Sequence, residues 1–301
     1  MKIRLVLSIA ACLMSVFATT ASAETYQTLF PNRVADGENP AITEIFNAMD
    51  FKTGKITLPG GIATVDTGDK YYFLDQKDSA IVLEALWGNP PGSSVLGMVF
   101  PIDKTPLDDS WGMTLSYDDI GYVEDNDAKS YDYDDLLKTL QKDTSDANKW
   151  RAENGYGIVT LVGWAEPPHY DEVERKLYWA KNLKFSDDDT STLNYDIRAL
   201  GRQGVLVMSV IASMNELDQV RAAAPDLLAM TEFTEGNRYS DFKPGVDKVA
   251  AVGIGGLIAG KVLAKTGLLV MLMAFLKKGF ILLLLPLFWL KSAIFGRGKE
   301  S

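Results

Sequence analysis

The chain has 301 residues, 23% of them charged, and its formal net charge of −10 is unevenly spread. Residues 24–245 hold 20 Lys and Arg against 38 Asp and Glu, a net of −18, between two basic, apolar ends. Such an acidic body excludes a nucleic-acid footprint, and one cysteine with one histidine excludes disulfides, cysteine zinc sites, iron–sulfur clusters and His-rich metal centres.

The first expected element is a leader, residues 1–23. Lys2 and Arg4 give a charged start, Leu5 to Phe17 an apolar run, and Ala21-Ser22-Ala23 the small residues that precede cleavage before Glu24. Cys12 lies in that run without a lipid-attachment context, so the mature chain is expected to carry no thiol. Residues 24–233 are then expected to form one body outside the cytoplasm, large enough to bury a core unaided by disulfides.

Residues 24–38 read as an extended lead-in. Asn39-Pro40 opens a helix with Ile42, Ile45, Phe46 and Met49 on one stripe and Gly54 as its stop. Lys55 to Leu58 and Ile62 to Asp66 make a hairpin around Pro59-Gly60-Gly61, and residues 70–74 form a further strand. Asp75 and Asp78 stand in capping-box spacing before a helix that Gly88-Asn89-Pro90-Pro91 stops. Residues 95–100 and 113–117 are strands. Asp132 and Asp135 open an amphipathic helix with Leu136, Leu137, Leu140, Ala147 and Trp150 inward and Gly155 at its end. Four strands follow over 158–164, 176–185, 192–200 and 205–212, the last apolar on both faces as at a sheet centre. Asn215 and Asp218 cap a final helix to about Phe233, bent at Pro225. Hairpin-connected strands with interspersed helices give an α+β body with an antiparallel sheet and packed helices, an order similar to the Mog1/PsbP-like sandwich.

Residues 234–248 read as a polar linker, and 249–301 as a transmembrane anchor with a basic cytoplasmic tail. A helix over 249–276 is about 42 Å long, against a hydrocarbon core of ~30 Å. Lys261 and Lys265 cost it about 5–7 kcal/mol, which its Val, Ile, Leu and Phe residues offset by roughly 4–8 kcal/mol. The second apolar run, 280–290, is too short to span alone. Lys277, Lys278, Lys291, Arg297 and Lys299 favour one net crossing of the lipid bilayer, tail inside and body in the periplasm. Gly256 and Gly260 have small-xxx-small spacing, and Lys261 and Lys265 share one helical face. Together they are the expected membrane interface for self-association or for other membrane proteins. The plainer alternative is two snorkelling lysines among ordinary membrane glycines.

No catalytic constellation stands out, and no cofactor or metal is assigned. His169 has Glu166 and Asp171 nearby to orient it, but Ser93 and Ser94 lie outside any nucleophile elbow, and Pro167-Pro168 places the histidine on a surface turn. The acidic stretch 118–135 lacks the calcium-loop pattern, because Ser130 and Leu136 stand where Gly and Glu are needed. The loop from Trp87 to Ser94 is rigid and shaped, so the weak binding candidates are Trp87, Asn89, Ser93, Ser94, Glu166 and His169. Asn194, Asp196 and Arg198 alternate onto one strand face, a polar strip expected to be solvated.

The segments WGNPPGSSVLGMVFP (87–101), LVGWAEPPHYD (161–171), KLYWAKNLKF (176–185), LNYDIRALGRQGVLVMSVIASM (193–214) and EGNRYSDFKPGVDKVAAVGIGGLIAGKVLAKTG (235–267) resemble the bacterial membrane-anchored proteins of domain-of-unknown-function family 2167. The resemblance spans nearly all of the mature chain. It implies an exported protein anchored in the inner membrane and carries no activity over. The leading expectation is a non-enzymatic envelope interaction or assembly protein. The alternatives are a membrane-tethered hydrolase or carbohydrate-binding module with carboxylates near Trp87 to Ser94, and a calcium-responsive sensor.

Overall fold

The computed structural model describes residues 21–259, apart from 36–39, 90, 91, 93, 129–131, 187 and 188. Its centre is a nine-stranded antiparallel sheet. In spatial order the strands are β1 (Ser22–Glu24), β2 (Phe51–Thr53), β5 (Tyr71–Asp75), β6 (Gly97–Pro101), β7 (Gly112–Asp118), β11 (Val205–Ser213), β10 (Thr192–Leu200), β9 (Lys176–Phe185) and β8 (Val159–Asp171). A smaller antiparallel sheet joins β12 (Thr231–Phe233), β4 (Ala63–Asp66) and β3 (Lys55–Thr57). The helices are α1 (Tyr26–Leu29), α2 (Pro31–Ala35), α3 (Pro40–Asn47), α4 (Gln76–Ala80), α5 (Tyr133–Glu153), α6 (Leu217–Ala229) and α7 (Ile254–Ile258).

Alternation along the central strands sorts side chains to the two faces. Leu193, Tyr195 and Ile197 of β10, with Leu206, Met208 and Val210 of β11, point to one face. There they pack under α6 and the small sheet, through Val220, Leu227, Ile56 and Val65. The opposite face is covered in two halves. The helices α1 and α3 and the helical turn Ile81–Leu86 that continues α4 close one half with Tyr26, Phe46 and Leu83, a cluster rich in aromatic edge contacts. The other half is closed by α5 and α7, with Leu140 and Ile254 against Leu177, Trp179 and Val207. The expected α+β antiparallel fold is present, and β11 is the buried central strand.

Several local expectations are corrected. Residues 26–29 and 31–35 are helical rather than extended, because Thr25 caps α1 by accepting from the Thr28 N–H at 3.2 Å and Tyr26 is drawn into the core. Asp75 caps α4 alone. Asp78 turns away and accepts from the Asp50 N–H at 2.9 Å, and burial raises its carboxyl above the usual range. Trp150 is 43% exposed on α5, where Thr144 and Arg151 take the inward positions. The last helix ends at Ala229, and 231–233 is a strand paired with β4.

The edge strand β8 continues through Pro167 and Pro168 to Asp171, so His169 lies in a strand opposite Tyr178 and not on a turn. Prolines are tolerated there because an outer edge needs no ladder donors. Farther along, α5 covers that edge. Asn148 donates to Val159 O at 2.8 Å and accepts from its N–H at 2.9 Å, while Gln141 Nε2 reaches Leu161 O at 3.2 Å.

Candidate functional site

The segment expected as a free linker folds back as a strap over residues 234–259. Arg202, in the β10–β11 turn, clamps Asp247 with Nε–Oδ2 at 2.7 Å and Nη2–Oδ1 at 2.8 Å. That bond from Arg202 holds the Asp247 carboxyl at about 2. Tyr122 and Val249 form a parallel bridge, with Tyr122 N–H donating to Lys248 O and Ala250 N–H to Tyr122 O, both at 2.8 Å. Gly121 permits this approach. Its φ is +97°, and an added Cβ would lie 2.6 Å from Lys248 O. Asp127 Oδ1 accepts from the Ile254 N–H at 3.1 Å, and a Cβ on Gly253 would meet that carboxylate at 2.1 Å. The first eleven residues of the run expected to begin the membrane span therefore sit on the body, with Ile254, Leu257 and Ile258 buried.

The strap and the β8–β9 turn enclose a cleft of about 580 Å3, lined among others by Val173, Arg175, Lys176, Phe233, Arg238 and Phe242. One wall is a ladder of planar groups. Phe242 stacks on Tyr122 at 3.9 Å and 16°, Tyr122 on Tyr239 at 4.4 Å, and the Arg175 guanidinium lies 4.9 Å from the Tyr239 ring centre. Asp125 ties the ladder together. It pairs with Arg175, accepts from Tyr170 Oη at 2.7 Å and from Tyr239 Oη at 3.2 Å. Burial alone would raise the Asp125 carboxyl, but Tyr170 and Arg175 outweigh it and hold it below its ordinary value. Burial, followed by the bond to Asp125, pushes the Tyr170 phenol up. Arg175 has φ +55°, a strained backbone for a non-glycine residue, and such strain collects at binding sites. The cleft offers flat aromatic faces, guanidinium donors and the carboxylates Glu174 and Glu232. Such groups can stack against and hydrogen-bond a ligand.

A second group is buried across β9, β10 and β11. Asp196, 1% exposed, meets Lys181 Nζ at 2.8 Å, Arg198 Nη2 at 3.3 Å and Ser209 Oγ at 2.7 Å. Burial would raise its carboxyl, but the two cations keep it below the ordinary value. Arg198 also stacks 4.9 Å from the Trp179 ring centre. The strip Asn194, Asp196 and Arg198 is therefore buried rather than solvated, with Lys181, Ser209 and Trp179 of the neighbouring strands packed around it. The alternating pattern marked it as one face; nothing local marked that face as covered.

The candidates from the sequence are not brought together. Trp87 is 3% exposed and donates its indole N–H to Pro106 O at 2.8 Å, and Asn89 Nδ2 donates to Leu83 O at 2.9 Å. Both serve the helix end before β6. Ser94 is exposed, and Ser93 lies outside the described residues. Glu166 and His169 lie on β8, five strands from β6, about 24 Å at the usual strand spacing. There Glu166 pairs with Arg221, and His169 packs 5.0 Å from Tyr178. Gly256 lies in α7, with its Cβ position 2.6 Å from Val252. Gly260, Lys261 and Lys265 lie outside the described residues. Among the described residues no group of three or more metal-ligating side chains converges, and no helix is long and apolar enough to cross a membrane. The strap and its cleft escaped sequence reasoning; the only local hint was the aromatic spacing of Tyr239 and Phe242 in a polar stretch.

A family model described as "Protein of unknown function (DUF2167)" matches residues 50–288. None of the curated proteins matches. The solution structure of cyanobacterial PsbP (CyanoP) from Synechocystis sp. PCC 6803 is a similar structure, at a TM-score of 0.35 and 10% identity over 60% of this chain and 91% of that one.

Proposed function

This chain belongs to the DUF2167 family, and from that premise we propose that it is an exported protein anchored in the bacterial inner membrane, its body in the periplasm. It acts as an interaction or assembly protein that receives a partner in the cleft beside the strap, and not as an enzyme. The observation that carries this reading is the docking of residues 234–259 on the body. The chain leading into the apolar, basic residues 260–301 is itself a wall of the cleft. A ligand there and the C-terminal segment are thus mechanically joined.

With 249–259 held on the body, the anchor begins near Gly260 and is carried by the apolar residues within 260–301. Lys261 and Lys265 then stand at its near end, where snorkelling is cheap, and not at its centre. A PsbP-like sandwich is the finer reading of the fold, supported by helical and small-sheet layers on opposite faces of one antiparallel sheet. The test is extraction of the full chain in mild detergent, sizing of the complex and mass spectrometry of its contents, beside Phe242→Ala. A stoichiometric partner that Phe242→Ala releases supports the reading. A bare complex of unchanged size in both contradicts it.

A further inference from the structure

Among the described residues, the large apolar side chains left exposed fall into two groups. Trp150, Ile158 and Val162 lie toward the start of β8. Val173, Val246 and Val249, at 88%, 77% and 46% exposure, lie at its other end. Val173 is the tip of the β8–β9 turn and lines the cleft together with Phe242. Val246 closes a turn onto Lys243 O at 3.1 Å, four residues beyond Phe242, and Val249 is bridged to Tyr122, which stacks on Phe242. These three valines therefore rim one end of the molecule.

The same end is where the described chain stops. Helix α7 packs on Leu177, Leu200 and Val205, at the start of β9 and the β10–β11 turn. Another 42 residues follow Ala259, and they hold seven Lys and Arg against one acid. Isolated exposed valines need no explanation, but exposed tips around a chain exit into an apolar segment do. Charge at this end is mixed, with Glu172, Glu174 and Glu232 exposed there as well. The body carries a net of −18, which repels an anionic bilayer, yet Lys243 and Lys248 beside Val246 and Val249 are exposed and Arg238 stands on the cleft wall. Glu172 and Glu174 flank Val173 and set a limit to its depth.

We propose that this end rests on the bilayer, with Val173, Val246 and Val249 in the headgroup–acyl boundary and Lys243 and Lys248 on anionic headgroups. The cleft then opens along the membrane surface, and its partner is reached at that surface. The inference rests on the anchoring part of the reading above.

The test uses the full chain reconstituted in vesicles of phosphatidylethanolamine and phosphatidylglycerol. Single cysteines at Val173→Cys, Val246→Cys and Val162→Cys, in a Cys12→Ser background, carry an environment-sensitive fluorophore. Brominated acyl chains should quench the probes at 173 and 246 at least about threefold more than at 162, since interfacial side chains sit ~5–10 Å into that boundary. Equal quenching at all three positions, in protein that resists carbonate extraction, overturns the surface contact and leaves the anchor standing. Protein released by carbonate overturns both.

Discussion

Replacing Ile254 by Ala should free the strap while leaving the sheet intact. Ile254 is fully buried, and Leu257 and Ile258 are 4% and 3% exposed. Burying three such side chains stabilises the docked state by about 1.5–3 kcal/mol each. Fixing the backbone of the α7 residues costs about 1–2 kcal/mol per residue. These two quantities nearly cancel, so the strap is held by a small margin. Trimming Ile254 removes about 2–5 kcal/mol, which exceeds such a margin. The reporters are the amides of Leu257 and Ala259, which donate to Gly253 O at 3.2 Å and Gly255 O at 3.0 Å. Their hydrogen exchange should rise to that of an undocked segment, which for so small a margin is about tenfold, since each 1.4 kcal/mol is a factor of ten. The amides of Met208 and Val210, in the central strand, should change by less than about twofold, as expected for a locally opening unit. Equal acceleration in α7 and β11 would refute the reasoning, because the strap would then belong to the global folding unit.

Three further outcomes follow from the geometry. Asp196→Ala leaves Lys181 and Arg198 facing each other in the sheet and should cost about 3–5 kcal/mol in urea unfolding, with part of the loss recovered when Lys181→Met is added. Asn148→Ala strips both bonds from Val159 on the β8 edge and should destabilise by about 1–3 kcal/mol. It should also raise the aggregation rate through the freed edge, and an unchanged rate would count against α5 as an edge guard. The Asp247 carboxyl sits at about 2 when folded, below its ordinary 3.8, so its contribution is complete above pH 4 and is lost as pH falls through 2. Proteolysis between residues 234 and 250 should therefore quicken over that window in the wild type, and Asp247→Asn should already be fast at pH 5.

The elements that were legible in the sequence are those fixed by local pattern. The apolar run Val205 to Ala212 reads as a central strand because both its faces lack charge, and it is one. Asp132 reads as a helix start, and it accepts from the Asp134 and Asp135 N–H groups. What remained hidden depends on distant partners. The composition of residues 234–248 is that of a linker, and distant groups such as Arg202, Tyr122 and Asp125, more than 30 residues away in the chain, hold it down. The polar strip on β10 is buried, which alternation along one strand does not predict. Pro167 and Pro168 read as a turn because proline usually ends a strand, and an outer edge is the exception. The loop from Trp87 to Ser94 looked like a binding loop because an aromatic beside a diproline has the same composition whether its indole faces a ligand or a backbone carbonyl.

Which side of the membrane holds the body decides the proposed topology. Two single cysteines, Lys149→Cys on the exposed face of α5 and Lys299→Cys near the C-terminus, would be placed separately in a Cys12→Ser chain. Labelling of intact spheroplasts with a membrane-impermeant maleimide should reach position 149 at once and position 299 only after lysis. Equal labelling of the two positions in intact spheroplasts, or protection of position 149, would contradict the claim that an exported body is joined by one crossing to a cytoplasmic tail.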